Sequence, residues 1–135
     1  MTNLSIDTHP NVHLLRRGYE AIEQRDATTL LTFLGDDVTW HVGGDGPLAG
    51  AHRGRNDVLG LFMTILVATG GEIRHEVLDV FADDDWGVVV YRTVATGSGL
   101  RYDEVDVTRF RFVGGLVAEA WEHPFDQRGF DALTA

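Results

Sequence analysis

Residues 86–125 read WGVVVYRTVATGSGLRYDEVDVTRFRFVGGLVAEAWEHPF, and their pattern decides the fold. Three β-branched and aromatic runs, Trp86–Thr96, Arg101–Val113 and Leu116–Phe125, are separated only by Gly97-Ser98-Gly99 and Gly114-Gly115. Glycine reaches the positive φ angles of tight hairpin turns without steric cost, so each run predicts a strand folded back on the one before. Upstream, Ile73–Ala82 predicts a further strand, closed by the acidic turn Asp83-Asp84-Asp85. Four strands joined by tight turns form an antiparallel sheet.

The N-terminal half reads differently. In Pro10–Gln24, Val12, Leu14, Leu15, Tyr19 and Ile22 recur at helical spacing, with Pro10 tolerated at the start. Asp26 is placed to cap a short helix over Ala27–Leu34, which Gly35 ends. Asp37–Val42 predicts a strand, and residues 43–54 a glycine-rich connection. Asn56 or Asp57 caps a third helix through Val58, Leu61, Phe62, Ile65 and Leu66 to about Ala68, before Gly70-Gly71. A short tail helix fits Gln127–Leu133, and the polar residues 1–8 are expected to fray. No linker interrupts residues 1–135, which predicts one domain. Helices grouped ahead of strands predict an α+β fold, not a parallel α/β fold. A curved antiparallel sheet packed with N-terminal helices encloses a cone-shaped cavity, a natural place for a small ligand.

Composition narrows the chemistry. The 135 residues contain no cysteine and no lysine, so thiol chemistry, thiolate metal sites and a Schiff-base lysine are excluded. The net charge of −10 argues against nucleic acid and anionic membrane surfaces as partners. No secretory signal and no long apolar run are visible, so the chain is expected to be cytoplasmic. Among the six histidines, His9 and His13 alone have helical metal-ligand spacing, without a third ligand nearby. No metal or cofactor is therefore expected. Ser5 and Ser98 lie in no nucleophile elbow.

Four stretches taken together carry a resemblance. They are Arg16–Asp26, Leu34–Trp40, the Gly50…Arg53-Gly54 segment, and Val107–Phe112 followed by Gly114–Trp121. In this order they resemble the nuclear-transport-factor-2-like superfamily, in particular its SnoaL-like and ketosteroid-isomerase-like members. The resemblance implies the cone-shaped roll and frequent dimerisation through the open sheet face. It does not choose among isomerases, cyclases, epoxide hydrolases, dehydratases and non-catalytic members. The isomerase's catalytic base would fall at Val42, its oxyanion tyrosine near Gly18 and its donor acid near Thr108, so none of the three matches. Of the epoxide-hydrolase set only the arginine matches, at Arg92; Trp40, Val42, Val94 and His123 stand where its Tyr, Asn and two Asp would be.

Alternation then supplies candidates. Tyr102, Glu104, Asp106, Thr108, Phe110 and Phe112 share one strand face, while Val105, Val107, Arg109 and Arg111 share the other. If the first face lines the cavity, Asp106 is a carboxylate among apolar walls, suited to acid/base work. His123, on the last strand with Trp121, is the expected proton-transfer partner, and Tyr19 a phenol donor from the first helix. Trp40, Val42, Phe62, Arg92, Tyr102, Glu104, Thr108, Phe110 and Trp121 are the expected substrate-binding residues. His41 alternates away from Trp40, and the face of His75 is open. The expected activity is cofactor-independent isomerisation, cyclisation or dehydration of an apolar oxygenated molecule. A non-catalytic ligand-binding or interaction domain and an epoxide hydrolase are the alternatives. A homodimer through the open sheet face is the expected assembly.

Overall fold

The computed structural model describes residues 9–135; the expected fraying at residues 1–8 lies outside the described residues. In chain order the elements are α1 (Pro10–Gln24), α2 (Ala27–Phe33), β1 (Leu34–Val42), β2 (Gly50–Arg53), α3 (Arg55–Ala68), β3 (Ile73–Ala82), β4 (Trp86–Gly97), β5 (Leu100–Val113), β6 (Leu116–His123) and α4 (Gln127–Leu133). The strands form one six-stranded sheet, ordered β2-β1-β6-β5-β4-β3. It is curved and does not close, with β2 and β3 at its edges.

The hairpins run where the glycines predict, and β3, β4, β5 and β6 pair antiparallel in succession. Three details depart from the sequence reading. Gly35 does not end α2 but lies inside β1, which starts at Leu34. The glycine-rich connection contains the short edge strand β2. β1 runs parallel to β6, so the sheet is mixed; α3 and the β3–β5 meander intervene between them, long enough for such a crossover. At α3, Gly54, at φ 84°, takes the cap position expected of Asn56 or Asp57.

The helices cover one sheet face. Val12, Leu15 and Tyr19 of α1 are buried with Val89, Phe110 and Phe112. Gly18 is needed where α1 meets α2, because a Cβ there would sit 2.8 Å from the Phe33 ring. Asp26 caps α2 through the Thr29 amide at 3.1 Å, as the sequence predicts. Asp126 caps α4 in the same way, through Gly129.

Candidate active site

Between α1, α3, α4 and the concave sheet face lies a cavity of about 110 Å³. Its walls are mostly apolar, built from residues such as Ile22, Leu30, Leu59, Phe62, Leu66 and Ile73. Its polar groups come from adjacent strands. Glu122 of β6, Asp106 and Thr108 of β5, Tyr91 and Thr93 of β4, and His75 of β3 all line it, joined by Tyr19 of α1 and Trp40 of β1.

Asp106 is 4% exposed. Its Oδ1 accepts hydrogen bonds from the Tyr102 hydroxyl at 2.7 Å and the Phe125 amide at 3.0 Å. Among the described residues no donor occupies Oδ2. Tyr102 thus holds Asp106 from behind and does not line the cavity. Burial, and then the hydrogen bond to Asp106, raise the Tyr102 hydroxyl pKa, so it serves as a donor.

The second carboxylate is Glu122. Register pairs Thr108 with Glu122, which makes Glu122 and Asp106 diagonal neighbours on one face. The Trp40 indole Nε1 donates to Glu122 Oε2 at 2.6 Å. Part of Glu122 faces the cavity, but protein encloses the carboxyl, and burial pushes its pKa up to about 7. The Asp106 charge adds to that rise, and the Trp40 hydrogen bond opposes it. Near neutral pH, Glu122 therefore populates both protonation states.

Hydroxyls continue the polar strip. Tyr91 and Thr108 share a 2.8 Å hydrogen bond between their hydroxyl oxygens. Tyr19 packs against Tyr91 with ring centroids 5.1 Å apart. Burial raises both phenol pKa values, so both rings are proton donors and not phenolates. Phe62 and Phe110 meet Trp40 edge-on at 5.0 and 5.7 Å and fix the indole. Phe62 lines the cavity, whereas the fully buried Phe110 packs behind its lining. Arg25 is the one arginine in the lining, and its guanidinium donates to the Ile22, Gly71 and Ile73 carbonyls.

Several sequence expectations are corrected. His123 is exposed, and Trp121 lies on the outer sheet face, stacked on His41 at 5.4 Å with the Arg109 guanidinium 4.3 Å from its ring centroid. A β-bulge is the cause. The turn at Gly114-Gly115 pairs Val113 with Leu116 and Phe112 with Val117, but Arg111 then pairs with Glu119. The extra residue, Ala118, shifts register by one and reverses every later side chain. A straight hairpin would set His123 opposite Asp106 and Trp121 opposite Thr108; the bulge puts Glu122 inside instead.

Arg92 is also outside, with Nε and Nη2 each 2.8 Å from the Asp103 carboxylate, and does not line the cavity. Val42 is buried but does not line the cavity, and Glu104 sits half-buried beyond its lining. Tyr19, Trp40, Phe62, Asp106 and Thr108 converge as expected. Glu122, Tyr91, Thr93 and His75 are polar lining residues on the sheet that sequence reasoning left out or left open. Among the described residues no three His, Asp or Glu side chains gather as metal ligands, and no helix is long and apolar enough to cross a membrane.

Comparison with known proteins agrees with this architecture. Bal32a, from a soil-derived mobile gene cassette, is 30% identical, with a TM-score of 0.88 over 93% of this chain and 97% of its own. Uncharacterized protein Rv0034 of Mycobacterium tuberculosis is 26% identical over 126 residues, 93% of this chain and 96% of its length. IdmH, a putative polyketide cyclase from Streptomyces antibioticus, shares the fold at 17% identity, with a TM-score of 0.73 over 94% of this chain and all of its own. The family model for the SnoaL-like domain matches residues 15–120, most of the chain, and so the chain belongs to the SnoaL-like domain family.

Proposed function

We propose that this protein catalyses cofactor-independent proton transfer, of the isomerase or cyclase type, on a small neutral oxygenated ring. The observation that carries this reading is Glu122: a buried carboxyl whose pKa is about 7, diagonal to Asp106 on one wall of an apolar cavity. Two carboxyl groups in different surroundings can divide the roles of acid and base. Asp106 Oδ2 takes a proton from the carbon next to a substrate carbonyl. The C–H electron pair becomes the C=C of an enol as Glu122 delivers its proton to the carbonyl oxygen. Return of a proton to a different carbon, or attack of the enol carbon on a second carbonyl, completes isomerisation or cyclisation. Tyr19, Tyr91 and Thr108 supply donors to oxygen.

A neutral substrate is favoured on electrostatic grounds. Asp26, Asp106 and Glu122 place carboxyl groups along the lining, and the lining guanidinium of Arg25 is already engaged by carbonyls. An anionic group there would meet like charge. The volume suits about one ring, since cavities of this order accept benzene.

The test is hydrogen–deuterium exchange at the α-carbons of cyclohexanone and 2-cyclohexenone in D₂O, followed by NMR. Wild type is expected to exceed the buffer rate, and Asp106→Asn and Glu122→Gln to lose on the order of 10²-fold or more of that excess. Binding without accelerated exchange would leave a non-catalytic ligand-binding domain.

The outer sheet face supports a homodimer. Val105 is 47% exposed and Val113 61% exposed, beside partly exposed Val88, Val90, Val94 and Val107. Arg109, sandwiched against Trp121 and Trp86, adds a flat cationic surface of the kind enriched at interfaces. Sedimentation velocity is the check, and a monomer at micromolar concentration would reject the assembly.

A further inference from the structure

The cavity has a second polar end, away from Asp106 and Glu122. His75 of β3 and Thr93 of β4 are directly opposed across the strand pair and both line the cavity. The Thr93 side chain is 4% exposed as a residue, and its Oγ1 has no hydrogen-bond partner among the described residues. His75 stands beside it. Its Nδ1 is buried and faces the Glu23 carboxylate, with Oε1 at 3.5 Å, an ion-pair contact when the ring is protonated. The same oxygen accepts from the His75 amide at 2.6 Å. Glu23 so anchors the strand and faces Nδ1, while Nε2, across the ring, has no protein partner among the described residues. Tyr91 sets the ring from the side, with centroids 5.6 Å apart.

Buried polar atoms without partners are uncommon, because each costs the hydrogen bonds it gave up with water. The Thr93 hydroxyl is such an atom, and together with the unpartnered Nε2 of its paired His75 on the same cavity wall it is most simply explained by an occupant of the cavity. A hydroxyl group suits both: it accepts from the Thr93 hydroxyl and donates to a ring nitrogen of His75. Building on the function proposed above, we propose that His75 and Thr93 bind a hydroxyl of the ligand at the end of the cavity opposite Glu122. Strand order gives the separation. His75 lies two strands from Asp106 and three from Glu122, so the two ends are roughly 10–14 Å apart at the backbone and closer at the side-chain tips over the concave face. A ring with a carbonyl at one end and a hydroxyl at the other spans that gap. The ligand class is thus a neutral hydroxylated cyclic ketone.

Matched probes test this: 4-hydroxycyclohexanone and cyclohexanone, titrated by amide chemical shifts against wild type, Thr93→Val and His75→Phe. In wild type the hydroxylated ring is expected to bind about tenfold more tightly. Each substitution should bring the two affinities within about twofold while cyclohexanone binding stays. Thr93→Val, an isostere that removes the orphan hydroxyl, should also keep or raise the melting temperature; a threonine held only for structure would lower it. Equal affinities in wild type, or a gap that survives either substitution, would overturn the second anchor while leaving the carboxylate site standing. Failure of both probes to bind would overturn the anchor and the proposed function together.

Discussion

Glu122→Gln is the most informative single substitution. Folding lifts the Glu122 pKa from its ordinary value of 4.5 to about 7. The raised value means that the folded state holds the proton more tightly than the unfolded chain does. Below about pH 4 the carboxyl is protonated in both states and costs nothing. As pH rises through this window the unfolded chain ionises first, so stability falls. Above about pH 7.5 the loss is complete, at about 3 kcal/mol. Glutamine keeps the shape and can still accept from Trp40 Nε1, but it never ionises. The variant should therefore match wild type near pH 4 and exceed it by about 2–3 kcal/mol near pH 8. Urea unfolding at pH 4, 6 and 8, with the wild-type curve subtracted, isolates this term because every other titrating group is shared. A difference that stays constant with pH, or a variant less stable at pH 8, would refute a perturbed carboxyl at this position. It would also remove the main support for acid/base chemistry here.

Trp40→Phe removes the hydrogen bond that lowers the Glu122 pKa, so the carboxyl should titrate above about 7, read from its ¹³C carboxyl resonance. Thr93→Val deletes an unsatisfied buried hydroxyl and is expected to change stability by about 0 to +1 kcal/mol in chemical denaturation, where most buried threonines would lose. Gly18→Ala drives a methyl group into the Phe33 ring and should cost about 1–3 kcal/mol in the same assay. Val105→Asp places a charge on the exposed outer face and should yield a monomer in sedimentation velocity without altering the cavity-binding affinity for cyclohexanone.

The architecture was largely legible in the chain. Glycine pairs at 97–99 and 114–115 mark the hairpins because few other residues take those turns, and the spacing of Val12, Leu15 and Tyr19 marks α1 because a helix returns to one face at that interval. On β5, strict alternation placed Asp106, Thr108 and Phe110 together on the inner face, where they are found. The exclusions drawn from the absence of cysteine and lysine needed no coordinates at all.

Tertiary structure alone decided the phase of β6. Period-two alternation has two phases, and the aromatic ring of Trp121 suggested the wrong one. Trp121 instead finds its contacts outside, against His41 and Arg109. One added residue at Ala118 exchanges His123 for Glu122 at the heart of the site, and a bulge of this kind leaves no mark in composition or periodicity. The pairing of His75 with Thr93 is equally invisible in the chain, since it depends on the register of β3 against β4, bulge included, and on what the helices leave uncovered. Local sequence determined which elements form and which residue types are present. Long-range register determined which carboxyl is desolvated, and with it the chemistry the cavity can perform.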